Sequence, residues 1–452
     1  MTSDVREIQP APERSRPATW PAVRALLLRL HFYAGILVAP FLLVAATTGL
    51  LYAASFQLEK VVYAHELTAP APAGRAMLPL ERQIAAARAA HPHGTVGAVR
   101  PAEPGATTRV LLDVDGLPDS TRLAVFVDPY TGAVKGTLES YGSSGALPVR
   151  AWISTFHRHL HLGEAGRLYS ELAAGWLWVV ALGGVALWLS HRRRGLRPDR
   201  RATGLRRTLS WHGSVGLWIT IGLLFLSATG LTWSAYAGAN VDKLQTALGW
   251  TTPVLPGAAG DHSGHAGHGG HDGGAPAGAD ADRVMRAAAE AGLSGPLEIA
   301  WPAGPGAAYV VKEMDRDWPQ RNDQVAVDAG SGQVTGELRF DDFPLAAKLI
   351  RWGIDGHMGV LFGLPNQILL MALAAGLIAM IVWGYRMWWQ RRPTRGFAAP
   401  YARGTWRAVP LAVLVPAGAV AVAVGVFVPL LGISLLAFLA ADVVLGRVRA
   451  AR

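Results

Sequence analysis

Long apolar runs alternate with polar segments along this 452-residue chain. A helix needs about 20 apolar residues to cross a hydrocarbon core. Four runs have that length, and they lie at 34–56, 168–189, 215–236 and 368–389. The last apolar stretch, 409–445, is too long for one crossing and is interrupted by Pro429, so we expect two shorter helices there. The pattern predicts an integral membrane protein with six spans.

The remaining segments lie before or between these spans. We expect a disordered polar tail at 1–24, short loops at 191–208 and 391–408, and two long polar segments at 57–156 and 237–356. The six spans then occupy 25–56, 157–190, 209–236, 357–390, 409–428 and 430–446.

Each long polar segment shows a helical pattern followed by strand-like runs and a turn. In the first segment the helix lies near 78–90, the strands near 109–114 and 123–127, and the turn at Asp128-Pro-Tyr-Thr-Gly132. In the second, the helix lies near 282–291, the strands near 308–312 and 324–327, and the turn at Asp328-Ala-Gly-Ser-Gly332. This order predicts two small α+β modules, of which the second is the weaker copy.

The sequence repeats itself in register. At an offset of 181 positions, His31, Gly35, Thr48 and Gly49 recur as His212, Gly216, Thr229 and Gly230. At an offset of 200, the matches are Asp128 with Asp328, Gly132 with Gly332, His157 with His357, Gly163 with Gly363, Gly184 with Gly384 and Trp188 with Trp388. The repeats predict a mainly α fold with a four-helix transmembrane core duplicated about a pseudo-two-fold axis, followed by a C-terminal helix pair.

The two offsets differ by 19 residues, so the second copy carries an insertion, for which the Gly, Ala and His rich stretch 257–279 is the candidate. Within it, the segment 261–272 spaces four imidazoles three residues apart, at His262, His265, His268 and His271. Such a loop can gather a divalent metal such as Zn, Cu or Ni. A solvated linker with incidental metal affinity would have the same composition.

Charge placement indicates the direction of the spans. Arginines crowd the loop at 191–208, follow the fourth span at Arg391 and Arg392, and end the chain. Because positive loops stay in the cytoplasm, both termini are expected there and both α+β modules in the periplasm. The net charge of +10 is thereby explained by topology, and nucleic-acid binding is not expected. The absence of cysteine excludes disulfides, thiolate-held iron–sulfur clusters and covalently attached haem.

Four histidines form two symmetric pairs in the duplicated core. His31 and His212 stand where outward helices begin, and His157 and His357 stand just before the returning helices. Two imidazoles are too few for zinc, but they fill the two axial positions of a haem iron. The pattern therefore predicts two noncovalent b haems, one near each membrane face, with no open iron position. The alternative is that these histidines are interfacial side chains bonded to headgroups or loop carbonyls.

Neighbouring residues are weaker candidates. His159 and His161 have no counterparts, since positions 359 and 361 are Gly and Leu. Symmetry therefore favours His157 as a ligand, and His161 is kept as an alternative because it lies four residues further along a helix.

Cations beside the outer histidines are candidates for binding haem propionates. These are Arg158, Lys348 and Arg351. An arginine fork suits a carboxylate, but ordinary interfacial cations would occupy the same positions.

Several of these stretches resemble the PepSY-associated transmembrane family of bacterial inner membranes, over roughly residues 25–445. They are HFYAGILVAPF from His31, FHR with His157, WHG and ATG around His212 and Thr229, LFGLPNQ after His357, and VDPYTGAVKG around Asp128. The family includes ferric-siderophore reductases with two b haems. The resemblance implies two PepSY-like periplasmic modules and His31, His212, His157 and His357 as axial ligands.

The expected function is a di-haem membrane cytochrome that reduces a periplasmic ferric chelate, such as a ferric siderophore. No nucleotide or flavin fingerprint is present, so a separate quinol or cytoplasmic reductase is expected as electron donor. One alternative is a copper reductase supplied by the histidine-rich loop. Another is a non-enzymatic periplasmic sensor or assembly factor anchored by the helices, which would need no haem.

Overall fold

The computed structural model describes residues 19–190, 195–255, 281–302, 304, 307–328, 330–391 and 405–450. The histidine-rich loop at 261–272 lies outside these residues. The chain divides into two compact units. The first comprises Met1–Ala39, Val179–Thr220 and Met380–Arg452, and the second comprises Pro40–Trp178 and Ile221–Ala379.

Helices make up most of the described chain. They are α1 (Thr19–Leu37), α2 (Ala39–Val62), α3 (Ala64–Leu67), α4 (Leu80–Ala90), α5 (Pro148–His159), α6 (Gly163–Leu189), α7 (Gly204–Leu231), α8 (Tyr236–Ala247), α9 (Ala281–Glu290), α10 (Leu345–Met358), α11 (Gly363–Gln390), α12 (Leu411–Phe427) and α13 (Pro429–Ala450).

Eight strands form one antiparallel sheet in the second unit. They are β1 (Thr95–Arg100), β2 (Thr108–Asp113), β3 (Thr121–Val127), β4 (Val134–Tyr141), β5 (Leu297–Ala300), β6 (Tyr309–Glu313), β7 (Gln324–Val327) and β8 (Val334–Leu338). Their order is β4-β3-β2-β1-β5-β6-β7-β8.

Four helices in the described residues are long and apolar enough to cross a membrane: α2, α6, α7 and α11. They coincide with the four longest spans expected from the sequence, and the chain is a membrane protein. The apolar helices α12 and α13 are shorter. Pro429 begins α13, as expected from its position in the apolar stretch.

The first predicted span, 25–56, is divided between α1 and α2. Pro40 has no amide proton, so the helical hydrogen bond to the carbonyl of Ile36 cannot form there. The hydroxyl of Tyr385 on α11 donates to that carbonyl instead, at 2.9 Å. The helix also begins at Thr19, inside the segment expected to be a tail.

The second and fourth spans begin later than predicted. His157 and His357 belong to the separate helices α5 and α10, and the spanning helices begin at Gly163 and Gly363. The backbone of Leu160 is left-handed at the end of α5, and Gly359 is left-handed at the end of α10. A left-handed residue ends a helix by turning its backbone, and apolar composition alone does not show such a break.

The helices and strands predicted in the two polar segments are confirmed as α4, β2, β3, α9, β6 and β7. Strands β1, β4, β5 and β8 were missed. The two segments are also not separate modules in the structure, because β1 pairs with β5 and joins both sets of four strands into one sheet. This pairing brings together residues about two hundred positions apart, and no local pattern indicates it.

Matching turns end β3 and β7. The side chain of Asp128 accepts hydrogen bonds from the amides of Tyr130 and Thr131, and Asp328 accepts them from Gly330 and Ser331. Gly132 and Gly332 follow with φ of 76° and 72°. Positive φ is accessible to glycine without strain, so the predicted turns depend on these two residues.

Helices α4 and α9 cover one face of the sheet and cap each other. The carboxylate of Asp282 accepts the amide of Leu80 at 2.8 Å, and that of Glu81 accepts the amide of Ala281 at 2.7 Å. Carboxylates stabilise helix N-termini because the first amides lack partners within the helix. The core beneath them includes fully buried Val99, Val125, Ile299, Val311 and Val325.

Three charged side chains lie where β1 pairs with β5. Arg100 Nε donates to Glu298 Oε2 at 2.6 Å, and Lys312 Nζ lies 3.1 Å from Glu298 Oε1. Burial opposes ionisation of Glu298, but the two cations outweigh it and lower its pKa from 4.5 to about 2. The carboxylate is therefore charged at neutral pH and holds the two halves of the sheet together.

Replacing Glu298 by Gln should destabilise the fold by about 3 kcal/mol at pH 7, because two mostly buried cations lose the negative charge of Glu298. Folding depresses the pKa of Glu298, so this stability is present above pH 4.5 and is lost as the pH falls from 4.5 towards 2. Thermal unfolding of the purified protein measures the change. Asp113→Asn is the matched control, because the Arg122–Asp113 pair is partly solvated and should contribute less than about 1 kcal/mol. Equal effects of both substitutions would contradict the assigned role of Glu298.

Candidate functional site

The four repeated histidines lie on four different helices, and each pair lies within one unit. His31 on α1 and His212 on α7 belong to the first unit, and His157 on α5 and His357 on α10 belong to the second. All four side chains are half-buried. We call them the 31/212 pair and the 157/357 pair.

The imidazoles of the 31/212 pair face each other closely. Their ring centres are 6.4 Å apart and their planes are inclined by 80°. A bond from a metal ion to an imidazole nitrogen is about 2 Å long, so two imidazoles on opposite sides of one ion have ring centres roughly 6 Å apart. The separation therefore fits a single iron held between His31 and His212.

The surroundings of the 31/212 pair are glycine and backbone. A Cβ atom added to Gly184 would lie 3.3 Å from Cε1 of His31, and one added to Gly183 would lie 3.6 Å from Nδ1. His212 Nδ1 lies 3.2 Å from the carbonyl oxygen of Met380, to which it can donate. Nδ1 of His31 is buried and has no hydrogen-bond partner among the described residues.

His157 packs against spanning helix α2. Its Nδ1 lies 2.9 Å from the hydroxyl oxygen of Thr48. A Cβ atom added to Gly49 would lie only 3.1 Å from Cε1 of the ring. Tyr52, one turn further along α2, lies parallel to the ring with a centre distance of 6.2 Å. One face of α2 thus positions this imidazole.

His357 has the equivalent environment on α7. Its Nδ1 lies 2.7 Å from the hydroxyl oxygen of Thr229, and Gly230 faces Cε1 with 3.7 Å to an added Cβ. Trp233 packs edge-on at 5.6 Å. Burial lowers the pKa of His357, and the charged form of His157 lowers it further.

His161, the sequence alternative to His157, is exposed and turns away from α2. Its backbone is left-handed, its ring centre lies 4.8 Å from that of Trp152, and its Nε2 lies 3.1 Å from the carbonyl oxygen of the same residue. The structure therefore places His157 against the span and His161 at the surface.

The candidate propionate-binding cations differ in how they are bonded. Arg158 donates from Nη2 to the hydroxyl of Tyr141 at 2.9 Å, while its buried Nε has no hydrogen-bond partner among the described residues. Arg351 is bonded to buried Asp355 at 2.8 Å, and Lys348 donates to the carbonyl of Asp341. Of the three, Arg158 has a buried donor that an anionic ligand would satisfy.

The four spanning helices contact one another. The hydroxyl of Tyr169 on α6 donates to the carbonyl of Phe41 on α2. Ser227 on α7 donates to Ala174 on α6 at 2.6 Å, and Gln57 on α2 donates to Gln367 on α11 at 2.8 Å. Gly222 on α7 packs against Leu373 on α11. The contacts close a ring of helices, a common setting for a cofactor site.

In the described part of the chain, no group of three or more His, Asp or Glu side chains is arranged to hold a metal ion. The predicted metal-gathering residues His262, His265, His268 and His271 lie outside the described residues.

The chain matches one known protein family over most of its length. The PepSY-associated TM region matches residues 28–391. The chain belongs to this family. The resemblance seen in the sequence is thus confirmed, and the match includes all four histidines. No curated protein is significantly similar to the chain.

The C-terminal hairpin of α12 and α13 lies beyond the family match and contacts α1 within the first unit. Arg29, two residues before His31, is buried and forms an ion pair with Asp442 on α13. Tyr33 packs against Phe438 of the same helix at 5.5 Å. The hairpin therefore supports the helix that carries His31, a role that hydropathy alone did not indicate.

The sequence does not by itself indicate which residues contact the imidazoles. Thr48 and Thr229 stand out only as parts of the repeat, and Tyr52 and Trp233 do not stand out at all. A signal was present, since both threonines precede a repeated glycine and recur with the histidines.

Replacing Asp442 by Asn should destabilise the protein by roughly 3 kcal/mol, because buried Arg29 would lose the carboxylate that pairs with it. Thermal unfolding in detergent measures this. The double variant Arg29→Met with Asp442→Leu should recover most of the loss, since an apolar pair needs no counter-charge. Glu164→Gln serves as control, because its partner Arg167 is only loosely bound at 3.5 Å on the surface. Wild-type stability of Asp442→Asn would show that the hairpin is not held by this pair.

Proposed function

We propose that this protein is a di-haem b-type cytochrome that moves electrons across the bacterial inner membrane and reduces a ferric chelate in the periplasm. The observation that carries the proposal is the separation of 6.4 Å between the ring centres of His31 and His212. It is supported by the matching placement of His157 and His357 against spanning helices.

A haem iron with two imidazole ligands exchanges single electrons and has no open position for oxygen. In this arrangement, individual residues have specific roles. His31 and His212 hold one iron, and His157 and His357 hold the other. Gly183 and Gly184 keep the space beside His31 free of side chains. The unpartnered Nε of Arg158 provides a hydrogen bond for a propionate near the 157/357 pair.

The proposal includes a duplicated core with an axis along the membrane normal. Its support is that contacts repeat with the sequence: Thr48 meets His157 as Thr229 meets His357. Each half of the sheet also has four strands and one covering helix, and we assign the halves as two PepSY-like modules.

Orientation follows from the arginines. We propose that the loop at 191–208 and both termini are cytoplasmic, and that the sheet lies in the periplasm. A separate quinol or cytoplasmic reductase then supplies electrons at the 31/212 pair. The acceptor receives them at the 157/357 pair, on the side of the sheet.

A ferric chelate such as a siderophore is the proposed acceptor. One electron converts Fe(III) to Fe(II), which hard oxygen ligands hold less tightly, so the metal can leave an intact chelator. Copper reduction is the competing reaction, and the four histidines of the loop at 261–272 are the feature that favours it. Deleting 261–272 should leave ferric reduction unchanged and would lower copper reduction if copper is the substrate.

Purified protein from haem-supplied cells should contain about two b haems per chain, measured by its reduced absorption spectrum and pyridine haemochrome. His31→Ala or His212→Ala should remove one haem, and His157→Ala or His357→Ala the other. Each variant should therefore retain about half of the haem. His161→Ala is the control and should retain both, because its ring faces Trp152 at the surface.

A folded wild-type protein without haem would contradict the proposal and favour the sensor or assembly factor. Loss of haem in His161→Ala, with full retention in His157→Ala, would replace one proposed ligand by the other. Reduction of the purified protein with dithionite, followed by mixing with a ferric hydroxamate under argon, tests electron delivery. Reoxidation of the haems together with formation of Fe(II) is expected.

A further inference from the structure

A threonine followed by a glycine faces each histidine of the 157/357 pair. Thr48 and Gly49 lie on α2 beside His157, and Thr229 and Gly230 lie on α7 beside His357. These contacts join two different repeats, Thr-Gly on the spans at an offset of 181 and His on the short helices at an offset of 200. In both cases Thr, Gly and His therefore have the same local arrangement, with the threonine and glycine beside the imidazole ring.

The hydroxyl group of each threonine already donates a hydrogen bond to a backbone carbonyl. Thr48 Oγ1 lies 2.8 Å from the carbonyl oxygen of Val44, and Thr229 Oγ1 lies 2.7 Å from that of Phe225. A carbonyl can only accept, so each hydroxyl must be the donor in its contact. A hydroxyl has one proton but two lone pairs, so it can still accept a hydrogen bond from the imidazole.

It follows that the proton of each imidazole is on Nδ1. His157 Nδ1 donates to Thr48 across 2.9 Å, and His357 Nδ1 donates to Thr229 across 2.7 Å. A neutral imidazole with its proton on Nδ1 has its lone pair on Nε2, the atom then available to a metal. The hydrogen bonds therefore select the tautomer and also fix the rotation of each ring.

We infer that Thr48-Gly49 and Thr229-Gly230 form two imidazole cradles, in which each threonine sets the tautomer and donor strength of the imidazole it faces, and Gly49 leaves room for the ring of His157. This inference rests on the proposed function. Thr48 and Thr229 are positioning residues, since they touch the ligands and not the iron. A bond from Nδ1–H makes Nε2 more basic, which favours ferric iron and lowers the reduction potential.

The cradles belong to one histidine pair only. In the 31/212 pair, His212 Nδ1 faces the carbonyl of Met380, and His31 Nδ1 lacks a hydrogen-bond partner among the described residues. Changes to the cradles should therefore alter one of the two haems and leave the other as it was.

The glycines make unequal contacts, which gives a second test. An added Cβ would lie 3.1 Å from Cε1 of His157 at Gly49 but 3.7 Å from Cε1 of His357 at Gly230. The first distance requires the imidazole to move, and the second is an ordinary van der Waals contact. Gly49→Ala should therefore displace its ligand, and Gly230→Ala should be tolerated.

Thr48→Val and Thr229→Val test the hydrogen bond, because valine keeps the shape of threonine and loses the hydroxyl. Potentiometric titration of the reduced absorption band and low-temperature electron paramagnetic resonance of the oxidised protein are the readouts. One haem should shift to a higher potential with altered g-values, and it should be lost to apomyoglobin about 10 to 100 times faster. The other haem should be unchanged.

Two controls separate this effect from a general change in the helix. Thr48→Ser keeps the hydroxyl and should restore the wild-type potential. Thr47→Val removes a neighbouring hydroxyl that donates to the carbonyl of Leu43 on the exposed side of α2, and it should change neither haem. Gly49→Ala should broaden or shift the same resonance as Thr48→Val, and Gly230→Ala should not.

Failure of the proposed function and failure of the inference about the cradles would give different results. Wild-type protein without haem would overturn the proposed function and this inference with it. Wild-type protein with two haems, whose potentials and g-values are the same in Thr48→Val and Thr229→Val, would overturn the cradles alone. A shift of both haems, or an equal shift in Thr47→Val, would also overturn them.

Discussion

A buried imidazole must satisfy both of its ring nitrogens, and this requirement organises the centre of the protein. Water is scarce inside a helix bundle, so each nitrogen needs a hydrogen-bond partner or a ligand. For His157 and His357 one nitrogen is bonded to a threonine that is itself bonded to its own helix. The helix backbone thus supplies the final acceptor for each of these hydrogen bonds.

The same requirement explains why small residues accompany the histidines. Gly49 and Gly184 stand where a side chain would press against an imidazole ring. Gly-mediated helix packing is the usual reason for repeated glycines in spans, and the sequence alone favours that interpretation. Here the histidine ring occupies the space beside the glycine, so these positions are constrained by the site and not only by helix contact.

Two long-range contacts give the sheet its form, and neither could be predicted from local pattern. The helix and strand elements around Asp128 and Asp328 followed from periodicity and turn chemistry, and they are present. The pairing of β1 with β5 and the ion pair of Arg100 with Glu298 join segments from the two repeats. Such contacts depend on how complete elements meet, which is why two modules were expected and one continuous sheet is present.

The sequence by itself determined the membrane character, the four principal spans, the family and the grouping of the four histidines, because apolar length and register are local properties that duplication makes visible twice. Tertiary structure decided the rest. The first span is interrupted next to Pro40, and His157 and His357 lie on short helices outside the spans. Thr48 and Thr229 are the hydrogen-bond partners of these two histidines. These outcomes depend on backbone turns and on distances between helices, and a hydrogen-bond partner more than a hundred residues away leaves no mark in local composition.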